Sequence, residues 1–202
     1  YQVTETCPGT AALQELHARL QGAEQPVVIL GGSRWLDQAV RDIATFAEHW
    51  QLPVYCSFRR QMLFPANHAS YAGDLGLGVN PKLLARMRAS DLVLVLGARL
   101  SEIPSQGYEL FDIPNPAQPL VHVHADADEL GRLYRPAQTI HATPQAMAAA
   151  LVSLLPATAP GWAGHTQAAR AEYLAWSDPA PIRIPGQLQM GAVMQHLKGV
   201  LP

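Results

Sequence analysis

The chain has 202 residues, 49% of them hydrophobic and 15% charged, against roughly 25% charged in an average soluble domain. That composition excludes a disordered tail, which would be charge-rich and poor in apolar residues. Fourteen Lys+Arg against sixteen Asp+Glu leave a net charge of −2 with no basic cluster, which argues against a nucleic-acid partner.

The longest apolar runs, such as Val27 to Leu30 and Leu92 to Leu96, fall far short of the ~20 residues of a membrane span. Cys7 and Cys56 are too few for a disulfide framework or a Zn site. No basic start followed by an apolar stretch marks a secretion signal, so a cytoplasmic protein with no membrane partner is expected. The length permits one or two domains with a substantial core.

Residues 1–9 are polar, and Thr10 is placed as the cap of a helix whose Leu13, Leu16 and Leu20 recur at three- and four-residue spacing to Gly22. "QPVVILGGS" reads as a buried strand running into a glycine turn. Trp35 to Trp50 then has helical spacing through Val40, Ile43, Ala44, Ala47 and Trp50. "LPVYCS" is the next strand, and Tyr71-Ala72 a brief edge strand ahead of "GDLGLG". Asn80-Pro81 supplies a cap and a first-position proline for a helix to Ser90.

"SDLVLVLG" and "PLVHVHAD" are further strands, the second running into "DADE", where Asp126 and Glu129 have capping-box spacing. After a last short strand, "TIHA", Thr143-Pro144 opens a helix with Ala146, Leu151, Leu154 and Leu155 for its inner face. Beyond Pro156, "ATAPGWAGHT" reads as a linker, followed by a helix around Ala168 to Trp176 and a tether, "DPAPIRIPG". The final segment puts Met190, Val193, Met194 and Leu197 on one helical face with nothing downstream for it to cover.

Buried strands alternating with amphipathic helices predict a parallel sheet covered on both faces. The expected fold is α/β, a Rossmann-like three-layer α/β/α sandwich of five to six strands with flanking linker helices.

No GxxxxGK, HExxH, paired CxxC, GxSxG or complete GxGxxG occurs. Gly31-Gly32-Ser33 lies between a strand and a helix, where backbone N–H groups and the positive helix end can meet a phosphate; a plain tight turn explains the same glycines. Gly97-Ala98-Arg99 follows a strand end, so Arg99 is placed to fork onto a diphosphate or to pair with Glu102. Asp126 is a ribose acceptor or a cap, and capping is favoured. His122 and His124 share a strand face but lack a third ligand, and are read as core or crevice residues rather than a metal site. Arg59-Arg60, just after a strand end, reads as a solvated loop rather than an anion clamp.

The ordered set "PVVILGGS", "LPVYCSFRRQMLFPANHASYAGDLG", "SDLVLVLGARLSE" and "LVHVHADADELGR" resembles the central domain of thiamine-diphosphate-dependent enzymes, in particular the acetolactate synthase-like branch. The resemblance implies three α/β domains, with thiamine diphosphate and Mg2+ held by the first and third. Residues 1–24 would be the end of an inter-domain linker, 25–156 the central domain, and 157–202 a return linker plus the first helix of a truncated diphosphate-binding domain. The parent enzyme, a homo-oligomer, would add a two-carbon carbanion unit to a 2-oxo acid or aldehyde, or decarboxylate one. This domain would contribute no catalytic residue and no metal ligand.

In some relatives the central domain holds FAD or ADP. Carried over, the nucleotide contacts fall at Gly31, Gly32, Ser33, Gly73, Gly76, Gly97, Arg99 and Asp126. His141-Ala142, where FAD-binding relatives have Gly-Asp, and Phe58-Arg59-Arg60, where they have a Gly-Lys-Gly-like turn, speak against FAD. Two other readings stay open: an FAD- or NAD-binding module such as an electron-transfer flavoprotein domain, and a purely structural spacer between two neighbours.

Overall fold

The computed structural model describes residues 4–200. Six parallel strands form one sheet: β1 (Pro26–Leu30), β2 (Val54–Ser57), β3 (Tyr71–Leu75), β4 (Leu92–Leu96), β5 (Leu120–His124) and β6 (Gln138–His141), in the order β3-β2-β1-β4-β5-β6. This is the doubly wound order in which connections from β1 and β4 leave in opposite directions, opening a crevice between their carboxyl ends. The α/β, Rossmann-like expectation holds, with six strands.

Side chains alternate between the faces as the strand period requires. Val28, Leu30, Leu94, Leu96, Val121 and Val123 enter one core with α1 (Thr10–Gly22), α2 (Asp37–Trp50) and α4 (Pro144–Val152). Val27, Ile29, Val93 and Val95 enter the other with α3 (Pro81–Ala89) and α5 (Ala163–Trp176). The central strands β1 and β4 are buried throughout, whereas edge strand β6 alternates buried and exposed.

The alternation of strand and helix is less complete than the sequence reading has it. Only the β1–β2 and β3–β4 crossovers contain an α-helix; β2–β3 and β5–β6 carry one 3-10 turn each, at Gln61–Leu63 and Ala127–Glu129. The β4–β5 connection is covered by apolar anchors instead, Leu100, Leu110 and Phe111 being buried in the second core. A crossover has to cover the sheet, and three well-placed side chains meet that need without a helix.

Local capping chemistry works as the residue types dictate at two sites. Asn80 accepts from the Lys82 amide at 3.0 Å and Thr143 from the Ala146 amide at 3.3 Å, each ahead of a first-position proline. Thr10 is not a cap: Gly9 takes that position without a side-chain bond, and Thr10 is the first helical residue. Leu154 and Leu155 lie beyond the end of α4, and Leu155 is exposed.

The segment after Pro156 is docked rather than slack. Helix α5 starts at Ala163, five residues earlier than its sequence signal, and packs on β3 and α3. Glu172 pairs with Arg86 at 2.9 Å, Arg170 donates to the Tyr71 carbonyl at 3.0 Å, and Tyr173 meets Tyr71 edge-on at 4.9 Å.

Trp50 joins four elements. Its ring, fully buried, stacks on Trp162 at 6.3 Å and meets His17 of α1 edge-on at 5.4 Å, while its indole N–H donates to the Leu154 carbonyl. Trp162 in turn donates to the Trp50 carbonyl at 2.8 Å. By contrast α6 (Met190–Val200) buries no residue, and Met190 and Met194 are more than half exposed. Among the described residues no helix is long and apolar enough to cross a membrane.

Replacing Trp50 by Ala removes both an aromatic packing unit and a buried hydrogen bond, and should destabilise the fold by about 3–5 kcal/mol, read as a lower urea midpoint. An unchanged midpoint would contradict the role given to this junction.

Candidate functional site

The crevice at the carboxyl edge is a cleft of about 430 Å3, within the ~300–1,000 Å3 range of small-molecule sites. Its walls are the segments that leave successive strands: Gly32, Ser33 and Arg34 after β1, Ser57, Phe58 and Arg60 around the end of β2, Gly97 to Arg99 after β4, and Ala125-Asp126 after β5. Ser101, Pro104, His124 and Pro144 complete it.

Its floor is a contact between two backbones. The Gly31 amide extends the ladder to the Leu96 carbonyl at 2.9 Å, and the Gly97 amide does the same to Val123 at 2.8 Å, so both chains turn at the same level. Gly32 (φ +73°) and Gly97 (φ +73°) are left-handed, a region open to glycine at little cost. A Cβ on Gly32 would strike the Gly97 carbonyl oxygen; one on Gly97 would lie 2.7 Å from the Gly31 oxygen, and one on Gly31 2.6 Å from the Ala98 Cβ. These glycines are therefore required by the close approach of the two turns. Helix α2 begins only at Asp37, and its first turn does not reach the cleft, so the helix-end phosphate site read from the sequence does not form there.

Cations dominate the walls. Arg34, itself left-handed at φ +66°, pairs with Glu5. Arg99 is 62% exposed and pairs at 3.5 Å with Glu129, not with Glu102. Glu129 also holds Arg132 at 2.9 Å, and no capping box forms, because the Asp126 amide that it would have to meet is donated to His124 Nδ1 at 3.0 Å. Asp126 caps the 3-10 turn through the Asp128 amide at 3.1 Å. Arg60, half-buried, has no ion pair and no side-chain hydrogen bond among the described residues.

The sequence candidates therefore separate. Gly32, Ser33, Gly97, Arg99 and Asp126 line the cleft and Gly31 lies beneath it. Gly73 sits inside β3 against Leu83 and Tyr173, on the side covered by α3 and α5. Gly76 lies behind Phe58 and outside the cleft. Arg34 was not singled out in the sequence, and Arg60, read there as part of a solvated loop after a strand end rather than an anion clamp, also lines the cleft; both lie within four residues of a strand end, where the wall segments originate.

The two histidines are structural. His122 Nε2 bonds the Ala98 carbonyl at 2.8 Å, and the Asp126 amide donates to His124 Nδ1 at 3.0 Å. Burial holds the His122 imidazole below its ordinary pKa of 6.5. Burial also pushes the Cys56 thiol up to about 12, so it offers no thiolate nucleophile. Among the described residues no three His, Cys, Asp or Glu side chains group as a metal site. The donor set does not fit a metal-bound diphosphate of the kind thiamine diphosphate carries.

Two outcomes follow from this geometry. Gly32→Ala should cost more than about 3 kcal/mol in chemical denaturation, since left-handed strain adds to the collision; Gly78→Ala, also left-handed but with open space around it, should cost only about 1–2 kcal/mol. For His122, the unfolded chain binds more protons than the folded one between the depressed pKa and 6.5. Stability should therefore fall as pH drops through that window, and His122→Gln should flatten the decline in Tm between about pH 7.5 and about pH 5.5.

Comparison with known proteins gives the family. Residues 13–151 match the family described as thiamine pyrophosphate enzyme, central domain. Sulfoacetaldehyde acetyltransferase of Alcaligenes xylosoxydans xylosoxydans is 30% identical over 167 residues, covering 83% of this chain and 28% of that protein. The corresponding protein of Castellaniella defragrans is 33% identical, over 61% of this chain and 21% of its own. The acetolactate synthase isozyme 1 large subunit of Escherichia coli (strain K12) is 29% identical over 72% of this chain and 25% of its own. The chain thus spans about a quarter of the length of these relatives, and the matches give no support to a free-standing FAD- or NAD-carrier module. A parallel α/β sheet with a crevice at its switch point agrees with that match: the chain belongs to the central-domain family of the thiamine pyrophosphate enzymes.

Proposed function

We propose that this chain is the non-catalytic middle of a longer, cytoplasmic, homo-oligomeric enzyme that uses thiamine diphosphate and Mg2+ to transfer a two-carbon acyl-level unit, and that its cleft holds the diphosphate of an adenine nucleotide. The cofactor is held by a pyrimidine-binding and a diphosphate-binding domain outside residues 25–156, with 1–24 as a connecting segment and 157–202 as a return linker plus the first helix of the diphosphate-binding domain. When bound, thiamine diphosphate supplies the carbanion stabilisation. The domain's own residues supply a rigid platform and an anion site. The relatives named sulfoacetaldehyde acetyltransferase favour an acetyl-transfer reaction involving a small aldehyde over acetolactate synthesis.

The observation that carries the nucleotide reading is Arg60: a partly buried residue without a counter-ion among the described residues, in a cleft that Arg34 and Arg99 also line. Such a group favours a bidentate anion. Gly32, Ser33, Gly97 and Asp126 would lie alongside it, while Gly73 and Gly76 would take no part. Phe58 and Arg60 take up the wall that a flavin would need, so ADP is favoured over FAD. A structural spacer is the second reading, supported by the glycines, whose missing side-chain space is filled by protein and not by an opening.

Calorimetric titration of the full-length enzyme should show ADP binding and no competition from FAD, with Arg60→Ala weakening ADP on the order of tenfold. A flavin absorption band in the purified protein would overturn the choice of ADP, and absence of any nucleotide binding would leave the spacer role. The 202-residue chain alone should give no heat with thiamine diphosphate; tight binding would sink the assignment of the cofactor to other domains.

A further inference from the structure

The segment ahead of α1 touches the cleft wall at two points. Glu5 pairs with Arg34, a cleft residue. One residue on, the Thr6 carbonyl accepts from the Thr143 amide at 3.0 Å, at the cap of α4 and next to Pro144, another cleft residue. The segment is thereby fastened to the loop after β1 and to the start of α4.

The fastening is not fully satisfied. Glu5 Oε1 takes the guanidinium, but among the described residues the enclosed Oε2 meets no donor and the enclosed Thr6 hydroxyl no partner. A carboxylate with one unsolvated, unbonded oxygen gives up part of the free energy its ion pair gains. Arg34 also sits in a left-handed backbone conformation that a residue with a Cβ adopts only under constraint. The pair is thus held in place by its surroundings and is open to displacement by an anion that bonds more completely.

Arg60 and Arg34 differ in this respect. Arg60 has nothing to release before it meets a ligand, whereas Arg34 is already neutralised by a carboxylate of the same chain. A phosphate approaching Arg34 meets the like charge of Glu5, and either displaces it or binds beside it at a repulsive cost.

Resting on the nucleotide reading above, we infer that Glu5 is an internal competitor for the cleft: the segment around residues 5–6 latches onto Arg34, and an anionic ligand must unlatch it to use that arginine. The segment sets the affinity of the site, because apparent affinity falls with the fraction of molecules in which the competent state is unavailable. It also links occupancy of the cleft to the path of the chain entering α1, so a bound nucleotide would change how the domain is tethered to whatever precedes it.

The test is ADP titration into the full-length enzyme and its Glu5→Gln, Arg34→Gln and double variants, with melting temperatures confirming that each is folded. Glu5→Gln keeps the side chain's size and removes its charge. The expected result is ADP affinity on the order of threefold tighter in Glu5→Gln, weaker binding in Arg34→Gln, and no gain from Glu5→Gln once Arg34 is gone, because the two act as one unit. Equal ADP affinity in the wild type and Glu5→Gln would overturn the latch while leaving the nucleotide site intact. A full gain in the double variant would also overturn it, since the effect would then be general charge and not the pair. Failure of both wild type and Glu5→Gln to bind ADP would overturn the nucleotide reading and the latch together.

Discussion

The turn after β1 and the turn after β4 share one small volume, and the rest of the site depends on that contact. Neighbouring parallel strands lie about 4.8 Å apart, and where both chains turn out of the sheet at the same level their backbones can approach this closely only if side chains are absent. Gly31, Gly32 and Gly97 provide that absence. The consequence is a pair of turns that diverge above the contact, one toward α2 and one toward the β4–β5 connection, with a crevice between them. The glycines therefore have a packing explanation that needs no ligand, and any ligand reading has to rest on the charged walls.

Those walls are a balance of cations and internal carboxylates. Arg34, Arg60 and Arg99 come from three different segments, and two of them have carboxylate partners, Glu5 and Glu129. Glu129 is only 10% exposed, divides its charge between Arg99 and Arg132, and so holds Arg99 loosely, leaving that side chain mostly in solvent. The site is positive without being a bare cluster of like charges, which would be costly to assemble in the unliganded protein.

Packing around the sheet explains how a domain with few crossover helices stays closed. Trp50 brings together α1, the end of α4 and the start of α5 through two stacked indoles and two hydrogen bonds. Arg86 and Glu172, both less than a third exposed, attach α5 to α3 on the opposite face. Helices that looked peripheral are thus part of the core, whereas α6 makes no comparable contact and keeps its apolar face open.

Much of the architecture was legible because its causes are local. Continuous apolar runs such as Val27 to Leu30 and Leu92 to Leu96 can only be buried strands in a parallel sheet, and Asn80 and Thr143 announce helix starts through a bond made within three residues. Asp126 was likewise legible as a cap. The chain by itself determined the fold class, a strand count of five to six, the starts of α3 and α4, and the family pattern. Tertiary structure alone decided that Gly73 and Gly76 lie outside the cleft, that Glu129 and not Glu102 meets Arg99, that Arg34 and Arg60 line the same cleft, and that α5 docks. Each of these depends on groups far apart along the chain being brought together by parallel strand register, and short-range periodicity carries no information about which distant side chains that register aligns.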